Sequence, residues 1–478
     1  MQSEIIGRKA EQEELLRCYN SKQSEFVIVY GRRRVGKTFL VINTLNQFFS
    51  FYYTGSHSAP KQRQLARFGE VLHTYGLPDV PELKNWYEAF DALQQLITIL
   101  PASSRKVIFF DEMPWIGGSN SEFVSALEDF WNTWAMLRSD VCLIACGSST
   151  SWMVDHLIEN QGGLHGRITS RIYLRPFNLG ETEQFLVSKG CDWDRYQITQ
   201  CYMCFGGVPF YLNLIRPDLS LAQNVDVLYL NPGAILHNEF SELYGALFGG
   251  KEIYGDVVRF LAQHHMGCTR QEIMKGVGCQ GGALTKVLTN LINSDFIIGY
   301  NQYGHKKKGT IYCLTDMFTL FYLRFVETRS VLDSNVWQRM ITTTQVKVWQ
   351  GLCFEIVALR HVECIKHALG LTAVSTRSST WRSSGKEGKQ GTQIDLVIER
   401  ADRIIHLCEL KFSVEPISIT ADYEQKLRNR MALFRAETQT RKSLVTTFVT
   451  TYGVLPGRHS AIVNSQVTLD DLFKMEID

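Results

Sequence analysis

The stretch Gly31-Arg32-Arg33-Arg34-Val35-Gly36-Lys37-Thr38 constrains the fold more than any other, because it matches G-x-x-x-x-G-K-[ST] between two apolar runs. Phe26 to Tyr30 before it predicts a short buried strand, and Phe39 to Ile42 after it continues as a helix. Strand, glycine loop and helix in that order form a phosphate cradle. The glycines let backbone N–H groups curl around phosphate oxygens, and a helix N-terminus favours negative charge. Lys37 is expected to reach the β and γ oxygens and the Thr38 hydroxyl to hold Mg²⁺. Gly31, Arg34, Val35, Gly36 and Phe39 complete the predicted nucleotide contacts.

A nucleotide-bound metal also needs a carboxylate, and Val107 to Phe110 delivers Asp111 and Glu112 at the end of a second apolar strand. Asp111 is assigned to Mg²⁺, directly or through water, and Glu112 to the attacking water as catalytic base. The chain has no Asn/Thr-Lys-x-Asp element to read guanine, so ATP is expected rather than GTP. A third apolar strand, Val141 to Cys146, runs into Gly147-Ser148-Ser149, where Ser148 would sense the γ-phosphate. Gly166-Arg167 and Arg171 precede the strand Ile172 to Leu174. Arg167 would neutralise transition-state charge in its own subunit or a neighbour's; a surface ion pair at a helix end is the other reading.

The 478 residues exceed one ordinary core and predict about three domains. A net charge of +2 predicts neither a polyanion-coating protein nor an acidic one, so any nucleic-acid surface must be local. Met1 to Leu16 lacks the apolar core of a secretory signal, and no uncharged run approaches spanning length, so the expectation is a cytoplasmic protein without a membrane partner. Twelve scattered cysteines suit a reducing compartment. Cys201 and Cys204 form a CxxC pair with no second pair or neighbouring His, and are read as thiols on an apolar helix rather than zinc ligands.

These motifs resemble the AAA+-related archaeal-type ATPases, close to the signalling STAND and origin-recognition branches. Ile6-Gly7-Arg8 with Glu11 and Glu14 is similar to the family's N-terminal box beside the adenine, Gly166-Arg167 to its arginine element, and Gly206-Gly207-Val208-Pro209 to its lid motif. The resemblance implies that Arg8 and Pro209 contact the nucleotide, that the P-loop strand is central, and that a helical lid follows. Arg216 lies beyond the lid motif, so no arginine of the second-sensor type is evident and the oligomeric state stays open.

From Lys251 to Phe325 three helices (Ile253 to His264, Arg270 to Lys275, Leu284 to Asn293) precede strands Phe296 to Tyr300 and Thr310 to Leu314, a winged helix-turn-helix pattern. In a DNA reader Lys286 and Asn290 would point outward from the third helix and Lys306 to Lys308 of the wing would take phosphates; the other reading is a docking surface. Further on, Asp395 lies in one apolar strand and Glu409-Leu410-Lys411 ends the next, giving D followed by E-x-K. Two carboxylates that hold Mg²⁺ and a lysine that activates water are what phosphodiester cleavage needs. Asp395 shares a face with Glu409 and Lys411 only with a three-residue loop, Ala401 to Arg403, which is the expectation. Glu355, on a helix around Leu352 to His361, would add a metal-binding carboxylate. The set resembles PD-(D/E)xK restriction-endonuclease-like domains. Thr376 to Thr392 reads as a mobile loop beside it.

The fold class expected is therefore α/β: a P-loop NTPase core of AAA+ type (1–177), a helical lid (178–250), a winged helix (251–333) and a PD-(D/E)xK-like α/β domain (334–478). The function expected is ATP binding and hydrolysis coupled to DNA, with a nuclease-like C-terminal domain. The alternative is a STAND-like switch that binds protein partners and carries a non-catalytic C-terminal domain.

Overall fold

A computed structural model of the chain describes residues 4–101, 104–118, 122–159, 162–304, 309–329, 334–383 and 392–474. The lysines Lys306 to Lys308 lie outside them. The chain divides into two compact units, Met1–Pro176 with Asn293–Asp295, and Phe177–Ile292 with Phe296–Asp478. Among the described residues no helix is long and apolar enough to cross a membrane.

The first unit is built on a parallel sheet of β1 (Glu25–Tyr30), β2 (Phe49–Thr54), β3 (Lys106–Asp111), β4 (Val141–Gly147) and β5 (Ser170–Tyr173), in the order β2-β3-β4-β1-β5. Its strands read as continuous apolar runs because both faces are buried. Phe26 and Ile28 of β1 join Ile108, Phe110, Leu143 and Ala145 in a core on one face. Val27 and Val29 join Val107, Phe109, Ile144 and Cys146 on the other, against Leu40, Val41 and Leu45 of the P-loop helix Lys37–Leu45. The strand preceding the loop is interior but not the middle one: β4 occupies the centre, and β1 lies between it and the edge strand β5. Arg171 is part of β5 rather than ahead of it.

The second unit has a main core running from Phe177 to Phe473, with two smaller clusters around Trp381 and Phe434 and around Ile419 and Phe448. Its first helices start where small polar residues cap them: Asn178 accepts from the Glu181 N–H, and Asp194 from the Gln197 N–H. Cys201 and Cys204 are both buried on the helix Arg195–Phe205, where burial pushes their thiols well up. Helices Glu252–Gln263, Arg270–Val277 and Gly281–Asn293 accompany a three-stranded antiparallel sheet of β6 (Cys268–Thr269), β7 (Ile297–Asn301) and β8 (Thr310–Leu314), ordered β6-β8-β7. The third helix starts at Gly281, so its glycine pair is helical rather than part of the preceding turn. Asn290 does not point outward. It is 8% exposed, and its amide donates to the Tyr254 hydroxyl at 2.7 Å, while Lys286 on the same helix is exposed.

The C-terminal sheet contains β9 (Thr376–Ser383), β10 (Thr392–Arg400), β11 (Ile404–Lys411), β12 (Ser443–Thr450) and β13 (Ser465–Thr468), ordered β13-β12-β11-β10-β9. Strands β9 to β11 are antiparallel neighbours, and β11 to β13 run parallel. Where it is described, the expected loop from Thr376 to Thr392 is strand: Thr376–Ser383 is β9 and Thr392 opens β10. Ser379, Trp381 and Ser383 of β9 are buried at alternate positions, a period of two that a polar composition hides.

Candidate functional site

The nucleotide cradle begins where β1 ends. Gly31 has φ 142°, and a Cβ there would sit 2.2 Å from the carbonyl oxygen of Leu174, so the chain can leave the sheet at this point only as glycine. Arg34 also adopts a left-handed conformation, φ 71°, which curls the loop ahead of the helix. Lys37 is 5% exposed and donates to the carbonyls of Gly31 at 3.0 Å and Arg32 at 2.9 Å. Burial lowers its pKa, opposed by the nearby Cys146, Glu112 and Asp111 side chains. Val35 is buried beneath the loop and Phe39 is exposed.

Thr38 and Asp111 meet as a metal site requires. The Thr38 hydroxyl donates to Asp111 Oδ2 at 2.9 Å, and Asp111 is 3% exposed at the C-terminal end of β3. Burial pushes its carboxyl up, and the Thr38 hydrogen bond opposes that shift. A hydroxyl and a hard carboxylate oxygen side by side suit Mg²⁺. Glu112 follows in a left-handed conformation, φ 48°, so that it turns away from the strand direction. Its Oε2 accepts from the Ser148 hydroxyl at 2.8 Å and the Ser148 N–H at 3.3 Å. The structure thus joins Lys37, Thr38, Asp111, Glu112 and Ser148 into one constellation on adjacent strand ends.

Arg8 is buried and donates to the Arg175 carbonyl at 2.5 Å, just past the Leu174 carbonyl on which Gly31 rests. That fixes the N-terminal box at the edge of the cradle. Glu11 forms an ion pair with Arg8 at 3.6 Å, and Glu14 accepts from Arg17 and from Ser170, which holds its carboxyl down at about 2. Arg167 is exposed, and its side chain has no hydrogen-bond or ion-pair partner among the described residues. Pro209 opens a short helix, Pro209–Asn213, in the second unit. There the glycine pair has a local cause: a Cβ on Gly207 would lie 1.9 Å from the Phe177 carbonyl oxygen, whose own N–H donates to the Gly207 carbonyl at 2.6 Å.

The second constellation is on β10 and β11. Their loop is Ala401 to Arg403, with Arg403 left-handed at φ 71°, the third-residue geometry of a three-residue hairpin. The register pairs Leu396 with Cys408, so Asp395 and Glu409 are the next residues along the two strands. Glu355, on the helix Thr344–Arg360, is pushed up to about 8, first by burial and then by the negative charge of Asp395, with Lys411 opposing. Burial likewise raises the Asp395 carboxyl, which accepts from the Gln393 amide at 2.7 Å.

Glu409 behaves differently. It is 4% exposed, and burial would raise its carboxyl, yet Lys411 and Arg430 overcome that and hold it below the usual range. Lys411 Nζ lies 3.0 Å from Oε1, the Tyr423 hydroxyl donates to Oε1 at 2.9 Å, and Arg430 pairs with Oε2. Among the described residues no group of three or more His, Cys, Asp or Glu side chains converges to hold a metal ion. Glu355, Asp395 and Glu409 share one electrostatic neighbourhood, but a divalent cation would compete with Lys411 and Arg430 for the oxygens of Glu409. The residues as arranged do not fit a metal.

Sequence reasoning missed Arg430, Tyr423 and Gln393 here, and Cys146 beside Lys37 and Asp111. Gln393 was legible as the same-face neighbour two residues before Asp395, and Tyr423 and Arg430 as positions i and i+7 of one helix, Ala421–Thr438. Nothing in the sequence said which strand that helix covers.

Residues 6–215 match the family described as an ATPase domain predominantly from Archaea. The chain is 23% identical over 400 residues to an uncharacterized protein of Methanocaldococcus jannaschii, covering 82% of this chain and 84% of that protein. Among solved structures it is similar to a Walker-type ATPase of Pyrococcus abyssi, with 18% identity, a TM-score of 0.48, and coverage of 67% of this chain and 96% of that one. It is also similar to the Aeropyrum pernix ORC2 protein in its ADPNP–ADP complexes, with 13% identity, a TM-score of 0.42, and coverage of 67% and 93%.

Proposed function

We propose, from the archaeal-type ATPase domain formed by residues 6–215, that this protein hydrolyses ATP in order to act on DNA through its second unit. The observation that carries the ATPase part is the joined set of Lys37, Thr38, Asp111, Glu112 and Ser148. The backbone N–H groups from Gly31 to Thr38 bind the phosphates, with Arg34, Val35 and Phe39 in the same turn, and the Lys37 ammonium neutralises the β and γ oxygens. Thr38 and Asp111 would hold Mg²⁺, which when bound supplies Lewis-acid neutralisation of phosphate charge. Glu112 is the base for the attacking water. Its hydrogen bond from Ser148 makes Ser148 both the sensor and the group that orients the base. Arg8 is assigned to the nucleoside side. Arg167, exposed and unpartnered, suits a neighbouring subunit's site better than its own.

The second unit is read as a lid (178–250), a winged helix (251–333) and an endonuclease-like domain (334–478). Three helices with the β6-β8-β7 sheet support the winged helix, and Asp395, Glu409 and Lys411 on one hairpin, with Glu355 from a helix packed on β11, support the endonuclease-like scaffold. Lys411 and Arg430 place positive charge where a phosphodiester would lie, which favours DNA binding at this site. The same two cations neutralise Glu409, and that favours the alternative of a switch with a non-catalytic C-terminal domain.

The deciding experiment measures Mg²⁺-dependent ATP hydrolysis by wild type and Lys411→Ala with single-stranded, duplex and branched DNA, and resolves the same samples on a gel. DNA-stimulated turnover, with DNA binding weakened in Lys411→Ala, is the expected result. Hydrolysis indifferent to every DNA, with no binding and no cleavage, would transfer the reading to the protein-binding switch.

A further inference from the structure

We propose that an open cleft between the winged-helix elements and β9 binds one nucleotide of a nucleic-acid strand, with the base against His264 and the adjoining phosphates against Lys275 and Arg382. The inference rests on the reading that the second unit acts on DNA. The cleft has a volume of about 580 Å³ and is lined by Phe260 and His264 at the end of helix Glu252–Gln263, by Cys268, Glu272 and Lys275 around the next helix, and by Arg382 of β9.

Its chemistry is divided. On one side the His264 ring lies on Phe260, centroids 4.3 Å apart, and its Nδ1 donates to the Phe260 carbonyl at 2.7 Å. The ring is therefore held in place, tilted by 31° to Phe260, and exposed; exposed aromatic side chains stack on unpaired bases. On the other side stand two cations. Arg382 spends one N–H on the Met266 carbonyl at 2.6 Å and has no carboxylate partner among the described residues; nor does Lys275, which is exposed. The one acid in the lining, Glu272, accepts from the Thr269 N–H at 2.6 Å and the Thr269 hydroxyl at 2.9 Å, which with the charge of Arg382 hold its carboxyl below the usual range. The cleft thus presents an exposed aromatic ring and two cations against one carboxylate, a net positive complement to a nucleotide unit.

The cleft also leads somewhere. His265, in its lining, is close enough to feel the charges of both Arg382 and Asp395. A strand seated in the cleft through Arg382 would continue past His265 toward Asp395, Glu409 and Lys411. A contact of this kind fixes the position of the strand and carries no sequence information.

The test is fluorescence anisotropy with a labelled single-stranded oligonucleotide on the full-length protein, comparing wild type, Lys275→Glu, Arg382→Ala and His264→Ala over a salt series. Each substitution is expected to weaken binding about tenfold, and the two cation variants to reduce the salt slope by about one. His264→Ala should leave the slope unchanged, because it removes stacking rather than charge. Basal ATP hydrolysis should be the same in all of them. Arg382→Ala also loses the Met266 contact, so Lys275→Glu, on an exposed side chain, keeps the test valid should that variant unfold. Wild-type affinity in Lys275→Glu and His264→Ala overturns the cleft while leaving the DNA reading intact. Displacement of the oligonucleotide by free mononucleotides at equal concentration overturns the strand in favour of a small-molecule site. No binding by the wild type overturns both the cleft and the reading beneath it.

Discussion

The two acidic constellations of this protein are built from the same residue types and arranged to opposite effect. In the nucleotide site Asp111 and Glu112 face hydroxyls, those of Thr38 and Ser148, and the Lys37 ammonium is bonded to backbone carbonyls rather than to either acid. In the C-terminal site Glu409 is gripped by Lys411, Arg430 and Tyr423. Acids paired with hydroxyls keep their charge available for a metal or a water, whereas an acid paired with cations has already been neutralised. The difference teaches that carboxylates in the right order are not yet a catalytic site; what they face decides what they can do.

The strongest test of that contrast is a matched pair of lysine substitutions. Lys37→Ala should reduce ATP hydrolysis by about 10³-fold or more, because the site loses the ammonium proposed to neutralise the β and γ oxygens. Lys411→Ala should leave basal ATP hydrolysis at the wild-type rate. Steady-state phosphate release measures both, and unchanged turnover in Lys37→Ala would sink the P-loop assignment.

Next in size is Glu112→Gln. Replacing the proposed base with its neutral isostere should slow turnover by about 10² to 10³-fold. Nucleotide affinity should hold, since Glu112 is placed against Ser148 rather than against the phosphate loop. Equilibrium binding of a fluorescent ATP analogue beside single-turnover kinetics separates the two effects; parallel losses in both would show that Glu112 shapes the cradle instead of activating water.

The contrast between the sites extends to how well each can be read from sequence. The P-loop is contiguous, and its chemistry is a property of the loop itself, so Gly31 to Thr38 announce it without reference to the rest of the chain. The C-terminal site needs a hairpin register and two helices. The register was legible, because only a three-residue loop puts Asp395 beside Glu409. The cation lock was not, since Arg430 lies 21 residues beyond Glu409 on a helix whose packing partner no local pattern names. Two strands escaped for a different reason. Phe49–Thr54 mixes aromatics with Ser50 and carries no clean alternation, and Thr376–Ser383 is an edge strand whose inward positions include two serines. Asn290 was misplaced because it sits at the margin of the stripe formed by Leu284, Val287, Leu288 and Leu291, where a polar residue reads as outward although the helix buries it.

A smaller effect probes the lock itself. Arg430→Ala should destabilise the second unit by about 1 to 3 kcal/mol, the usual cost of removing a hydrogen bond to a buried charged group. Urea unfolding measures it. Arg430→Met together with Glu409→Gln should recover much of the loss, because replacing both partners leaves no buried charge uncompensated. A double variant no better than the single one would mean that Arg430 acts through packing rather than through Glu409.

The smallest expected effect discriminates most finely. The Ser148 hydroxyl donates to the Glu112 carboxylate at 2.8 Å and so holds it in place, not free to turn toward a water. Ser148→Ala removes that bond, which is worth about 0.5 to 1.5 kcal/mol, so freeing the carboxylate should change the basal rate by about 2- to 10-fold. If Ser148 restrains the base until a ligand or partner releases it, basal ATP hydrolysis should rise by that factor and any stimulation by DNA should shrink correspondingly. If Ser148 instead aims the carboxylate at the water, the same substitution should lower the basal rate, because orientation is lost along with restraint. The Ser148 N–H, 3.3 Å from the same oxygen, survives the mutation and retains part of the aim, which is why the restraint is expected to dominate. The sign of the change, read from basal and DNA-stimulated rates in one assay, separates the two roles.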